Sequence, residues 1–134
     1  MPASLPLALR AMAYNNAWAN HRLLSACAGL TQAEFEAPRT GFFPSIQATL
    51  NHILIIDRFY VDALEGGTLG PAAWADRIPC PTLSALHAEQ VAVDRRLIAW
   101  CDSLWTSVVT VGSSFSPVSG SHGPFPAVYT ESPE

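Results

Sequence analysis

Four histidines occur in the sequence, at positions 21, 52, 87 and 122. Imidazole is the commonest protein ligand of transition metals and titrates near neutral pH, so these residues are the first candidates for chemistry. They lie far apart, and no H-E-x-x-H motif joins two of them. A Gly-rich phosphate loop and a G-x-S-x-G motif are also absent from the sequence. Any site must therefore be assembled from distant elements.

The elements that would position these residues are helices. Thr31 and Glu34 have the spacing of a capping box, which predicts a short helical turn. The Gly- and Pro-containing segment 68–81 is predicted to be a crossover loop. An all-α bundle is the fold class that follows. Apolar residues recur at helical spacing in three segments, which predicts α-helices at about 7–28, 46–65 and 83–104.

His52 lies on the second of these predicted helices. A stripe at spacings of i, i+4, i+7 and i+11 is predicted to face solvent, and His52 lies about 100° from it among apolar residues. An imidazole in such surroundings needs a polar partner, and a metal ion is one such partner. Two interpretations stay open, a structural histidine and a metal ligand. The predicted solvent stripe consists of Asn51, Ile55, Arg58 and Asp62.

Further polar residues fall on the apolar faces of the predicted helices. Asn16 and Asn20 lie on or beside the core face of the first helix, where a packed structural amide is favoured over a site residue. Asp57 is expected to pair with a neighbouring arginine, while a role as acid, base or ligand stays open. His21 and His87 are predicted to be at least partly exposed, without a ligand-spaced companion.

Composition limits the class of protein. A chain of 134 residues with 49% hydrophobic residues predicts one domain with a modest core. The net charge is −4 and all seven basic residues are scattered arginines, which argues against nucleic acid as a partner. Three cysteines without a C-x-x-C pair predict reduced thiols in a cytoplasmic protein, with Cys80 the one reachable from water. No apolar stretch approaches the roughly 20 residues of a membrane span.

The sequence changes character after Trp105. No charged residue occurs between Asp102 and Glu131, and Ser, Gly and Pro are frequent. We therefore predict a bundle domain at 1–105 followed by an irregular tail at 106–134. Within this tail we expect a brief extended strand from Val108 to Val111 and no role for His122.

Several stretches of the sequence resemble the DinB-like family of small damage-inducible bundle proteins. They are residues 14–20, 38–46 and 49–54, and the similarity continues in the expected order through about residue 105. The resemblance implies an up-down four-helix bundle, often dimeric, with a divalent metal ion held by three histidines. One of these histidines matches His52. The other two lie four residues apart on the last helix, in a stretch like H-x-x-H-H-R-G-Q that this sequence lacks.

The function implied by the resemblance is that of a metal-dependent hydrolase or thiol transferase. It implies Zn, Ni, Fe or Mn as the ion, His52 as the retained ligand, an unknown small-molecule substrate and a homodimer. One imidazole cannot hold a first-row metal tightly, so this chain alone is expected to have an incomplete site. The alternative is a non-catalytic helical association module or a frameshifted remnant without metal.

The tail suggests how the metal helix was lost. Absence of lysine beside seven arginines indicates GC-rich coding DNA, in which an out-of-frame segment can run on without a stop codon. Our hypothesis is that a reading-frame shift near Trp105 replaced the fourth helix. Reading the other two frames for an H-x-x-x-H helix tests it, and finding none would refute it. Three helices without a fourth would expose an apolar groove, which predicts dimerisation or aggregation.

Overall fold

The computed structural model describes residues 4–112, and these residues form a helical bundle. The predicted all-α fold class is confirmed, and no strand occurs in this part of the chain. The capping box of Thr31 and Glu34 is present at the start of the second helix. The α-helices are α1 (Ser4–Cys27), α2 (Gln32–Glu36), α3 (Ile46–Leu64) and α4 (Leu83–Gly112), with a short 3-10 turn at Gly70–Trp74.

The last helix is longer than predicted. It continues to Gly112, so the expected end at residue 104 and the expected strand from Val108 to Val111 are wrong. The Ser and Thr hydroxyls of this segment find partners within the helix by donating to carbonyls one turn back. The hydroxyls of Thr106 and Ser107 do so, at 3.0 and 2.8 Å. The remainder of the predicted irregular tail, including His122, lies outside the described residues.

Polar contacts fix α1 antiparallel to α4. Near the start of α1, Arg10 pairs with Asp102 near the end of α4, with a distance of 2.6 Å between Nε and Oδ1. Further along α1, Asn20 donates to Asp94, which lies earlier in α4. The contact partner therefore moves backwards along α4 as α1 advances. We call this contact, from the Arg10–Asp102 pair to the Asn20–Asp94 pair, the α1–α4 seam.

The helix α3 runs parallel to α4. Arg58 pairs with Glu89, and Arg96 pairs with Glu65, and each pair joins residues 31 positions apart in the chain. A constant offset of this kind arises only when both helices point the same way. Parallel neighbours need a long connection, and segment 65–82 provides it, in agreement with the predicted crossover loop. The up-down order that the resemblance implies therefore does not hold between α3 and α4.

The hydrophobic core lies between these helices. Leu54 is fully buried at its centre, and Phe35 of α2 covers one end with 1% of its surface exposed. None of the helices within residues 4–112 is long and apolar enough to cross a bilayer. The buried core cluster consists of Leu24, Cys27, Phe35, Leu50, Leu54, Val61, Cys80, Leu86 and Val93.

The predicted solvent stripe of α3 is wrong at two of its four positions. Asn51 is fully buried and Ile55 is 3% exposed. The crossover segment covers this side of the helix, because the Asn51 carboxamide donates to the Cys80 carbonyl at 2.9 Å and accepts from the Cys80 N–H at 2.9 Å. Cys80 is itself 4% exposed, so the prediction that its thiol is reachable from water is also wrong.

Candidate functional site

His52 opens onto the larger of the two described pockets. Its imidazole is partly buried and packs against the Phe43 ring, with centroids 4.5 Å apart and ring planes at 35°. The pocket has a volume of about 510 Å³, which lies within the usual range for small-molecule sites. We call it the His52 pocket. It is lined by Phe42, Phe43, Pro44, Ala48, His52, Ile55, Trp74, Arg77 and Ile78.

The loop before α3 forms one wall of the His52 pocket. The Arg39 N–H donates to the Pro44 carbonyl at 2.8 Å, which closes the loop and presents Phe43 to His52. Ser45 then caps α3 by accepting the Ala48 N–H at 3.0 Å. This cap fixes where the helix begins and therefore the direction of His52, which lies two turns along α3.

The rim of the His52 pocket carries an exposed aromatic ring. Phe42 is 93% exposed, and its only described ring contact is an edge contact with Phe43, with centroids 4.9 Å apart. A phenyl ring left in water forgoes the roughly 1.5–3 kcal/mol that burial of a large apolar side chain provides. Phe42 therefore adds exposed apolar surface to the rim of the pocket.

The crossover segment forms the opposite wall of the pocket. Trp74 packs against Phe59 of α3, with ring centroids 4.7 Å apart. The Ile78 N–H donates to the Asp76 carboxylate at 2.9 Å, which shapes the turn that carries Arg77. Because Asn51 also holds the backbone of Cys80, this wall is attached to α3 at both ends.

The chemical character of the His52 pocket is apolar with two polar side chains. Aromatic and aliphatic residues form most of its surface, while the His52 imidazole and the Arg77 guanidinium supply hydrogen-bond donors. No carboxylate occurs among the described lining residues. The pocket therefore favours a flat apolar molecule that carries an acceptor or a negative charge.

The described residues do not fit the metal site that the resemblance implies. Within residues 4–112, no three His, Cys, Asp or Glu side chains lie close enough together to hold an ion. His52 has aromatic and aliphatic neighbours in its pocket, where a metal site would need further N, O or S ligands.

A buried carboxyl group lies in the α1–α4 seam. Asp94 is 2% exposed and accepts hydrogen bonds from the carboxamides of Asn16, Asn20 and Gln90, at 3.3, 3.0 and 3.1 Å. Burial raises the pKa of Asp94 to about 6, although the bonds from Asn20 and Gln90 oppose this shift. The nearby charge of Asp57 raises the pKa further. The prediction that Asn16 and Asn20 are structural amides is confirmed.

The Gln90 carboxamide links Asp94 to a second carboxylate. It donates to Asp57 at 2.7 Å, so the predicted pairing of Asp57 with an arginine is wrong. Burial raises the pKa of Asp57 as well. Asp94 was not among the residues predicted from the sequence. Its position one turn after Gln90, between Val93 and Leu97 on the core side of the helix, indicated that it is buried. The described partners of both carboxylates are helix-borne carboxamides that join neighbouring helices, which indicates a structural role.

Comparison with known proteins decides the family. The sequence model of the DinB family matches residues 1–111. The chain belongs to the DinB family. No curated protein and no solved structure matches the chain. The resemblance predicted from the sequence is thereby confirmed, and the match extends past residue 105, where we predicted that the domain ends.

In this DinB family protein the sequence-predicted residues fall in two places. His52 lies in its pocket on one side of α3, whereas His21 and His87 lie together in the α1–α4 seam. Both seam histidines are half-buried, in agreement with the predicted partial exposure. The metal-ligand role of His52 stays a prediction. Its surroundings in the pocket are largely aromatic and aliphatic.

Proposed function

We propose that this DinB family protein binds a small planar molecule bearing an anionic group, and that the His52 pocket is its binding site. The observation that carries the proposal is the pairing of an aromatic-walled cavity of about 510 Å³ with the donors His52 and Arg77. Sites of this kind use apolar surface for affinity and a few polar groups for orientation. A carboxylate on the ligand would meet Arg77 in a charge-assisted hydrogen bond.

A metal-dependent hydrolase or thiol transferase is the activity that the resemblance implies. We propose binding in its place, because the residues around His52 do not supply the further ligands that a metal ion would need there. In this proposal the ligand is recognised by aromatic packing and by Arg77, and a metal ion takes no part in its recognition. A cytoplasmic location belongs to the same proposal, and it is supported by the three unpaired, buried thiols of Cys27, Cys80 and Cys101.

Binding of 2-naphthoate by the full chain tests this function. We expect calorimetry to measure a dissociation constant in the millimolar range or tighter, as for fragment-sized ligands. Arg77→Gln should weaken binding about tenfold, because the charge-assisted bond is lost. The uncharged analogue 2-naphthylmethanol should bind both proteins equally.

Matched variants separate the pocket from general adsorption. Arg22→Gln removes an exposed arginine that packs over Trp18 on α1, away from the pocket, and it should leave binding unchanged. His52→Leu keeps an apolar wall but removes the imidazole donor, and it should weaken naphthoate binding. Equal affinity in the wild type, Arg77→Gln and His52→Leu proteins would refute the proposal.

A second candidate function, a helical association module, is favoured by an apolar groove. Its volume is about 380 Å³, and Met12 on its edge is 67% exposed. We propose that a second copy of the chain covers it, in keeping with the implied homodimer. The residues lining the groove are Leu9, Met12, Ala13, Asn16, Leu64, Leu97, Trp100 and Cys101.

Sedimentation equilibrium tests this association. The wild type is expected to form dimers, and Met12→Glu should shift it towards monomer because a charge would be buried in the interface. Ala11→Glu places the same charge on the exposed neighbouring position, outside the groove lining, and should leave the dimer intact. A monomeric wild type, or equal dissociation by both variants, would contradict the association.

A further inference from the structure

We propose that His21 and His87 form a two-histidine site for a divalent transition metal ion across the α1–α4 seam. This site goes beyond the proposed function, since neither residue lines the His52 pocket. The two imidazoles come from facing helices, with ring centroids 6.4 Å apart and ring planes at 52°. The pairing is not visible in the sequence, because the two histidines lie on the first and the last of the described helices.

The distance between the rings suits an ion held by both. Zn–N bonds are about 2.0–2.1 Å long, so two imidazoles on one tetrahedral ion have ring centroids about 5–6 Å apart. The observed 6.4 Å is slightly longer, so the two rings would have to move closer together when the ion binds. Both residues are half-buried, which leaves the remaining coordination positions open to water or a small ligand.

The backbone positions of the two histidines are held from both sides. On one side, Asn20 beside His21 donates to Asp94 at 3.0 Å. On the other side, Leu24 and Leu86 belong to the buried core and are 3% and 1% exposed. A site on fixed helices needs less ordering when the ion binds than one on loops.

The ligand type decides which cations fit the pair. Nitrogen ligands select borderline ions such as Zn²⁺, Ni²⁺ and Cu²⁺ over Ca²⁺ and Mg²⁺. The ion would join α1 to α4, so that binding stabilises the folded state in proportion to the free metal concentration.

Titration of the full chain with ZnCl₂ and NiCl₂ tests the site. We expect one ion per chain by calorimetry and a rise in Tm of several degrees that a chelator reverses. His21→Asn and His87→Asn should each lower the affinity by at least about tenfold and abolish the rise in Tm, because loss of even an outer-shell partner typically costs 10–100-fold. The Co²⁺ spectrum should lack thiolate charge-transfer bands, which excludes the three cysteines as ligands.

His52→Asn and His122→Asn are the matched controls, since each removes a histidine elsewhere in the chain. His122→Asn should bind the ion like the wild type, and loss of the ion in His52→Asn would place it in the His52 pocket and overturn the proposal. Circular dichroism of each variant without metal confirms that it is folded before its affinity is compared. Absence of metal binding by the wild type, or binding that survives His21→Asn and His87→Asn, would overturn the proposal.

Discussion

Replacing Asp94 by Asn should abolish a decrease in the free energy of unfolding that the wild-type protein shows as the pH rises from about 4 to about 6. The pKa of Asp94 is raised from 3.8 to about 6 in the folded protein, so this range is bounded by its unfolded and folded values. Within it the folded state binds more protons than the unfolded state, and stability therefore decreases as the pH rises. The loss is complete above the folded pKa and amounts to about 3 kcal/mol at most.

The measurement is urea unfolding of the wild type and Asp94→Asn proteins at several pH values. The difference between their free energies of unfolding isolates the Asp94 contribution, and it should change by about 2–3 kcal/mol from pH 4 to pH 7. Glu34→Gln is a control for which stability should depend on pH in the opposite direction. Thr31 lowers the pKa of Glu34, so that carboxylate stabilises the fold above its unfolded pKa of 4.5 and loses this effect in acid. A pH-independent difference for Asp94→Asn would contradict the assignment.

Asn51→Ala is expected to destabilise the protein by about 3 kcal/mol. The Asn51 carboxamide is the hydrogen-bond partner of both the Cys80 carbonyl and the Cys80 N–H, in a buried environment. Its removal leaves two buried backbone groups without these partners, and each such group costs about 1–3 kcal/mol. Chemical denaturation measures the effect directly.

The matched control for Asn51→Ala is Asn15→Ala, which makes the same change at an exposed position of α1. This control should cost less than about 0.5 kcal/mol, as surface substitutions usually do. Asn51→Ala should also weaken naphthoate binding, because the wall with Arg77 and Ile78 loses its attachment to α3. A destabilisation no larger than that of Asn15→Ala would show that water replaces the missing bonds.

Local signals predicted the starts of helices well. The capping box at Thr31 involves atoms within three residues, so the sequence contains the whole interaction. The start of α4 was predicted from apolar residues at helical spacing, and Leu86 and Val93, which follow this spacing, are buried. Short-range hydrogen bonds and periodicity are properties that a single sequence displays.

Long-range contacts account for what the sequence did not predict. Asn51 was expected in solvent because it falls in one stripe of α3 with Arg58 and Asp62, but its partner Cys80 lies 29 positions away in an irregular segment. Asp94 was overlooked because its three carboxamide partners come from two helices, with Asn20 74 positions away. The pairing of His21 with His87 has the same origin. Only the packing of the bundle brings such residues together.

The end of the helical region was also misjudged, with consequences for the tail. α4 continues to Gly112 and the family match ends at residue 111, so the departure from the family pattern lies after Val111 instead of near Trp105. A reading-frame shift, as hypothesised from the composition, would then lie close to that point. Reading the other two frames of the gene from the codon of Val111 is the revised test.

The central claim is that the His52 pocket is where this DinB family protein binds its ligand. Titration of ¹⁵N-labelled full-length protein with 2-naphthoate, followed by two-dimensional NMR, tests it most directly. We expect saturable shifts of the Trp74 indole N–H, the Arg77 guanidinium and the His52 imidazole, with little change at Leu97 in the apolar groove. Shifts centred on the groove, or none at saturating naphthoate, would contradict the claim.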